Sequence, residues 1–551
     1  MSFRHPASAA IALLLAGCTA PPLPESSTPP VVAAPVLPTD TTAPAIATPA
    51  RPTLAVMLVV DQLRSDLLGR HDSLWTGGFR RLIDEGRYYI NASHAHSSTS
   101  TAVGHASLST GVHPFRHGVV ENAWWERSGR RWVRVENIDD STVTIVGFPK
   151  LGGVSPRHLM RSGLAEWLLA ADSGSRIASV SGKDRGAVHP AAHTKGQVYW
   201  FDASVGRFVT STYYRDAYPE WADRFHETVL PRYAADSVWE SLVPASARAA
   251  AGPDTAAWEN YGERSWFPHR FAEQGRRGEF WSWFAQTPGL DALTLDFAET
   301  MVTSLALGRD ETVDFLNVSL SQADRIGHRF GPRSLEQLDN LLRLDRELGE
   351  FLAFLDTAVG RGKWVAVLSA DHGVVDPPEE RRARGDWGHR TTKAELATMD
   401  SLIRVANRRA ARDADAAATA LAEALEELPW IADAWTQEEL LKTAPADSFA
   451  VLFRRSLYPG REGGRFSRQG VEVRYREGLL TYEHGTGHGS PYWYDRHVPI
   501  VFMGPGIVPG LDPSAGVETV DVAPTLAALL GIEAPDDLDG DVLVGVAGSP
   551  R

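Results

Sequence analysis

Leu54-Ala55-Val56-Met57-Leu58-Val59-Val60-Asp61 is a run of seven apolar residues closed, without a spacer, by a carboxylate. Such a run, with no polar alternation, fits a strand buried on both faces. Similar short strands are expected at Ile177–Val180, Val313–Leu320, Trp364–Leu368 and Pro499–Phe502. Helical patterns lie between several of them, as at Ser334–Leu355 and Thr525–Leu530. This alternation predicts an α/β fold with a doubly wound, mostly parallel sheet and helices on both faces. Sequence repeats are absent.

Two regions interrupt the rhythm. Val198 to Thr287 is rich in Trp, Tyr and Arg and lacks βα alternation. Thr391 to Glu477 holds an Ala/Glu-rich helix, Asp413–Leu428, followed by strand-like Ser448–Phe453 and Gly470–Arg476. Both read as insertions in a catalytic domain of residues 54–551, placed to cap a site. Their aromatics are expected mainly to pack within the insertions, with a place at a substrate entrance as the alternative.

Upstream of Leu54 the chain reads as an address rather than a fold. Arg4 and His5 precede an apolar segment, Ala9–Ala16, ending in Leu15-Ala16-Gly17-Cys18, which looks like a bacterial lipobox. Residues 1–18 are therefore expected to be a lipoprotein signal, with a lipid anchor on Cys18. Thr19 rather than aspartate follows, which favours the outer membrane. The apolar stretch Ala7–Gly17 is too short to span a bilayer. Residues 19–53 are rich in Pro, Ala and Thr, and are expected to be a disordered tether.

Of the 551 residues, 69 are acidic and 55 basic, a formal net charge of −14. That argues against a nucleic-acid scaffold role, which wants a basic face. A small phosphorylated substrate stays compatible, because a metal site carries its own positive charge. Cys18 is the sole cysteine, so no internal disulfide and no thiol ligand or nucleophile exists in the catalytic region.

Groups able to do chemistry recur just after the expected strands. Asp61 follows the first, Asp324 follows Val313–Leu320 after a short turn, and Asp371-His372 follows Trp364–Ala370. His488 sits in the Gly-rich loop Gly485-Thr486-Gly487-His488-Gly489, with His484 as its rival. Asp324 and His328 are four apart, so one helical turn or a tight loop aims both at one ion. An Asp after a strand is more often a cap or turn residue, but the coincidence at several strand ends points to a carboxylate–imidazole set that suits zinc, with manganese or iron as poorer candidates, and is too nitrogen-rich for calcium. The segment Ser97-Ser98-Thr99-Ser100-Thr101 offers hydroxyl nucleophiles, which need a base or a metal to become reactive.

Taken together, these motifs resemble the alkaline phosphatase superfamily, and within it exported single-domain phosphate monoesterases related to the nucleotide pyrophosphatase/phosphodiesterases. The carriers are Val59-Val60-Asp61-Gln62-Leu63-Arg64, Thr101-Ala102-Val103-Gly104-His105-Ala106-Ser107 and Thr110-Gly111…His117-Gly118. Asn122, Ser181-Gly182-Lys183-Asp184-Arg185-Gly186-Ala187, Asp324-Arg325-Ile326-Gly327-His328 and Ser369-Ala370-Asp371-His372-Gly373 continue the series. It closes with His488-Gly489-Ser490-Pro491 and Val520-Asp521-Val522-Ala523-Pro524-Thr525-Leu526.

The resemblance implies two zinc ions, one held by Asp324, His328 and His488, the other by Asp61, Asp371, His372 and the nucleophile Thr101. It favours His488 over His484, gives His105 and His117 structural roles, and makes Asn122, Lys183 and Arg185 the phosphate contacts. Lys183 and Arg185, two apart, would face the same side in an extended segment. The implied reaction is hydrolysis of phosphate monoesters by in-line attack of Thr101, through a phosphothreonine, outside the cytoplasm; the sequence does not set the oligomeric state, and a monomer is the favoured expectation.

Three rivals remain. A phosphodiesterase of the same fold is disfavoured by the two cations, which suit a monoester's extra charge. The common sulfatase form needs a cysteine that is absent. A non-catalytic metal- or phosphate-binding lipoprotein leaves the full ligand set and Thr101 without a purpose.

Overall fold

The computed structural model describes residues 51–235, 237–274, 279–442 and 447–545. The export signal, the lipobox and residues 19–50 of the expected tether lie outside them. Nine strands form the main sheet: β1 (Leu54–Val60), β2 (Arg87–Tyr89), β3 (Ile177–Ser181), β4 (Gln197–Asp202), β5 (Arg207–Val209), β6 (Asp314–Leu320), β7 (Trp364–Ser369), β8 (Ile500–Met503) and β9 (Gly510–Asp512). Their order is β9-β2-β8-β7-β1-β6-β3-β4-β5. The central run β7-β1-β6-β3-β4 is parallel, as is β9 on β2, whereas β8 pairs antiparallel with β7 and β2, and β5 with β4.

Every residue of β1, β6 and β7 is buried, because helices cover both faces. Seven helices matter for the site and its support: α1 (Thr101–Thr110), α2 (Asp184–Ala191), α3 (Gly289–Ser304), α4 (Gln322–Phe330), α5 (Leu335–Leu355), α6 (Ser448–Ser456) and α7 (Val522–Leu530). Leu54, Val56, Leu58 and Val60 of β1 pack in one core with Leu293 and Phe297 of α3 and Leu348 and Phe351 of α5. Ala55, Met57 and Val59 face the other core, with Ala187 and Val188 of α2 and Leu526 and Leu530 of α7. Each fully buried leucine or valine contributes about 1.5–3 kcal/mol, so the two-sided run at Leu54–Val60 anchors both layers at once.

The sheet register sets up the site. Val59 pairs with Ser369 and Val60 with Leu320 in parallel ladders, so Asp61 and Asp371 both lie two residues beyond one registered pair. Ser319 pairs with Ser181, which brings Lys183 to the same edge. Four adjacent parallel strands thus present their carboxyl ends, where open α/β sheets gather ligands.

Two expectations change. Val198 does not open an insertion, since β4 and β5 complete the main sheet; the alternation there is hidden by aromatic strand residues such as Tyr199, Trp200 and Phe201, all buried. Ser448–Phe453 is not a strand but the start of α6, because Asp447 caps it by accepting from the N–H groups of Phe449 and Ala450. The helix expected at Asp413–Leu428 spans Ala414–Glu426, and Val471–Tyr475 is a strand, paired with Ile431–Thr436. No described helix is long and apolar enough to cross a membrane.

Candidate metal centre

Two groups of ligand-capable residues meet at this edge. Asp324, His328 and His488 form one, and Asp61, Asp324 and His372 the other, each with one donor atom per residue all within 4.8 Å. Asp371 adjoins the second group, its Oδ2 3.6 Å from His372 Nε2. Thr101 Oγ1 lies 3.4 Å from that same nitrogen. The residues expected for two ions are gathered in one place, with Asp324 common to both groups. His484 belongs to neither; its ring stands beside Gly262.

The histidines are oriented alike. His328 Nδ1 is 2.8 Å from the carbonyl of Thr486, His372 Nδ1 2.9 Å from that of Gly373, and His488 Nδ1 2.6 Å from that of Thr99. A nitrogen facing a carbonyl carries a proton, so each ring in its neutral form turns an unprotonated Nε2 to the carboxylates. His328 Nε2 is 3.0 Å from Asp324 Oδ1, and His488 Nε2 is 3.6 Å from it. Backbone fixation of Nδ1 is the usual support of a metal-binding imidazole.

Electrostatics point the same way. Asp61, Asp324 and Asp371 are all buried, and Lys183 is the cation among them, 2.6 Å from Asp61 Oδ2 and 2.5 Å from Asp324 Oδ2. Burial and the nearby Asp371 push the Asp61 carboxyl well above its usual range, with Lys183 opposing. Burial also opposes charge on Asp324, but His328 and Lys183 beside it hold that carboxyl well below the usual range. Asp61 Oδ1 and Asp371 Oδ2 are buried without a hydrogen bond. Such oxygens are costly unless a cation meets them. Three carboxylates and three Nε2 atoms fit zinc in donor type and in number.

Thr101 opens α1, where backbone N–H groups favour negative charge. Asn122 Oδ1 accepts from Ala102 N at 3.0 Å, tying that side chain to the start of the helix. Gly104 is required: a Cβ there would collide with the backbone of Asp371. His105 Nδ1 donates to the Thr101 carbonyl at 2.9 Å and lies 3.3 Å from Asp371 Oδ2, while its Nε2 meets Ser319 Oγ. His117 bonds Ser107, on the same helix.

Lys183 and Arg185 do not share an extended segment. Lys183 is the extended residue preceding α2, and Arg185 is the second residue of that helix. The helix begins early because Asp184 stabilises its first turn, and accepts from Arg185 N at 2.8 Å. Lys183 therefore reaches the carboxylates, while Arg185 lines a cavity of about 500 Å³ in front of Thr101. Asn122, Asp324, His328 and His488 share that cavity, and Phe453, Tyr475, Leu480 and Tyr482 form part of its wall.

Two supports were not legible as such in the sequence. Gln62 sits in the left-handed region at φ 69°, giving its Nε2 to Asp324 Oδ1 at 2.7 Å and its backbone N–H to Asp371 Oδ1 at 3.1 Å. Asp376 is buried and takes Arg64 at 2.5 Å, Arg333 at 3.0 Å and Arg384 at 2.5 Å. It joins the loop after Asp61 to the loop after His372. Gln62 lies inside the Val59–Arg64 motif and Asp376 three residues beyond Gly373, but positive φ in a glutamine has no composition signal, and Asp376's partners are remote in sequence.

Residues 55–461 match the model of the family described as type I phosphodiesterase / nucleotide pyrophosphatase. The chain is 33% identical over 511 residues to alkaline phosphatase PhoV of Synechococcus elongatus, covering 89% of this chain and 92% of that protein. It is 32% identical over 526 residues to alkaline phosphatase PafA of Elizabethkingia meningoseptica, covering 90% and 94%. The crystal structure of wild-type PafA aligns with a TM-score of 0.83 at 28% identity, over 91% of this chain and 99% of that one. A second PafA structure has a threonine, an asparagine, a lysine and an arginine replaced.

Proposed function

This chain belongs to the type I phosphodiesterase / nucleotide pyrophosphatase family of the alkaline phosphatase superfamily and is an alkaline phosphatase, and from that footing we propose that it hydrolyses phosphate monoesters with two zinc ions, through a phosphothreonine at Thr101. The observation that carries this reading is the common orientation of His328, His372 and His488, each with Nδ1 at a carbonyl and Nε2 facing buried carboxylates beside Thr101.

Asp324, His328 and His488 would hold one ion, and Asp61, Asp371, His372 and Thr101 the other. When bound, zinc supplies Lewis acidity and lowers the pKa of coordinated hydroxyl and water. Thr101 Oγ1 forms the new bond to phosphorus as the ester oxygen departs with its electron pair, and water then cleaves the phosphothreonine to free phosphate. The start of α1 favours the negative charge on the transferring group. Asn122 provides a neutral donor, and Arg185 can fork two N–H groups onto phosphoryl oxygens. Lys183 adds positive charge between the two groups. Export and a lipid anchor at Cys18 complete the reading, supported by the lipobox alone.

Metal analysis with activity tests it. Purified protein is expected to hold two zinc ions per chain, to lose activity with chelator and to regain it with zinc. Asp371→Ala and His488→Ala should each lower both zinc content and rate. Full monoesterase activity in metal-free protein overturns the proposal.

A further inference from the structure

Tyr482 stands in the cavity wall beside the group formed by Asp324, His328 and His488. It is 49% exposed. Its ring rests on Gly487, where a Cβ would collide with it. It meets His328 edge-on, with ring centroids 6.5 Å apart and planes at 63°. The segment is held firmly: Arg390 donates to the carbonyl of Tyr482 at 3.1 Å and to that of Gly485 at 2.8 Å, and Glu379 grips the same guanidinium at 2.8 and 2.9 Å. Among the described residues the Tyr482 hydroxyl makes no hydrogen bond, and the ring packs on Gly487 and His328 while half of the side chain stays exposed.

The cavity, at about 500 Å³, is of the size that takes a whole organic ligand rather than a phosphoryl group alone. Leu479, Leu480 and Tyr475 continue the wall from Tyr482. From this placement we propose that Tyr482 is a specificity-determining residue that stacks on an aromatic ring of the leaving group, so that aryl phosphates are preferred over small alkyl phosphates. The inference rests on the monoesterase reading above: in-line attack by Thr101, which belongs with Asp61, Asp371 and His372, turns the departing ester oxygen toward the opposite group of Asp324, His328 and His488. A rigid aromatic face with one side open binds a flat ring at little entropic cost.

The test compares zinc-loaded wild type, Tyr482→Ala and Tyr482→Phe on phenyl phosphate and methyl phosphate, with inhibition by inorganic phosphate as a control. Tyr482→Ala is expected to lower kcat/KM for phenyl phosphate about tenfold, the scale of one lost stacking contact. Methyl phosphate turnover and phosphate inhibition should stay unchanged, and Tyr482→Phe should behave as wild type. Equal losses on both substrates, no loss on either, or a Phe variant as poor as Ala overturns the stacking role alone. Wild-type protein that cleaves neither ester sinks the monoesterase reading, and this inference with it.

Discussion

Gln62 donates its side-chain amide to Oδ1 of Asp324 at 2.7 Å, binding the residue next to Asp61 to the carboxylate shared by both candidate metal groups. Its backbone N–H holds Asp371 at the same time, so one residue with left-handed backbone fixes the spacing between the groups. The Gln62→Ala variant should therefore retain zinc about 10–100-fold less tightly and lose kcat by a similar factor. Competition with a graded chelator measures the first and steady-state kinetics the second. Unchanged zinc retention would reduce Gln62 to packing.

Thr101 is distinguished from Ser97, Ser98 and Thr99 by what their hydroxyls already do, and from Ser100, whose Oγ is buried without a hydrogen bond, by the 3.4 Å approach of its own Oγ1 to His372 Nε2. Ser97 bonds Ser456, Ser98 bonds Glu121, and Thr99 bonds the carbonyl of Ser490. Thr101→Ala should nearly abolish turnover with both metals retained, and Thr101→Ser should keep much of it. Mass spectrometry of acid-quenched turnover is expected to find phosphate on Thr101; phosphate on Ser100 or any other hydroxyl of the run refutes the assignment.

Lys183 and Arg185 should separate in their effects. Arg185 lines the cavity, so Arg185→Ala is expected to reduce monoester turnover by roughly one to two powers of ten and diester turnover little, as loss of a charged hydrogen bond implies. Lys183 contacts Asp61 and Asp324, so Lys183→Ala should lower both activities and alter zinc retention. Parallel kinetics on an aryl monoester and its diester decide it. If Arg185→Ala costs both equally, the guanidinium does not read the ester's charge.

Asp376 predicts a pH effect on stability. Burial opposes its charge, but Arg64, Arg333 and Arg384 hold its carboxyl down at about 2, against an ordinary 3.8. A depressed carboxylate stabilises the fold fully above the unfolded value and loses that contribution as pH falls toward the folded one. The contribution amounts to about 2 kcal/mol, lost between pH 3.8 and 2. Asp376→Asn should thus lie well below wild type in urea unfolding at pH 6 and approach it near pH 2. A gap that stays constant across that range contradicts the ion-pair account.

The sequence made the core strands and most chemical residues legible because each carries a local signal: a two-sided apolar run ends, and a carboxylate or imidazole follows. Asp61, Asp324 and Asp371 were readable for that reason. The rest depends on contacts distant in sequence. Arg185's separation from Lys183 follows from a helix that starts one residue early. The sheet membership of Gln197–Asp202 is masked by aromatics, and α6 declares itself through the Asp447 cap more than through its apolar pattern.

Gly104 lets α1 lie directly against the main chain of Asp371, so nucleophile and ligand strand meet backbone to backbone. A side chain can be exchanged at most interfaces and the error absorbed by repacking; here nothing intervenes that could absorb it. Drift in sequence is therefore forced outward, to the walls contributed by residues such as Phe453 and Tyr475. A library that varies those walls alone would explore new ester preferences while inheriting the chemistry intact.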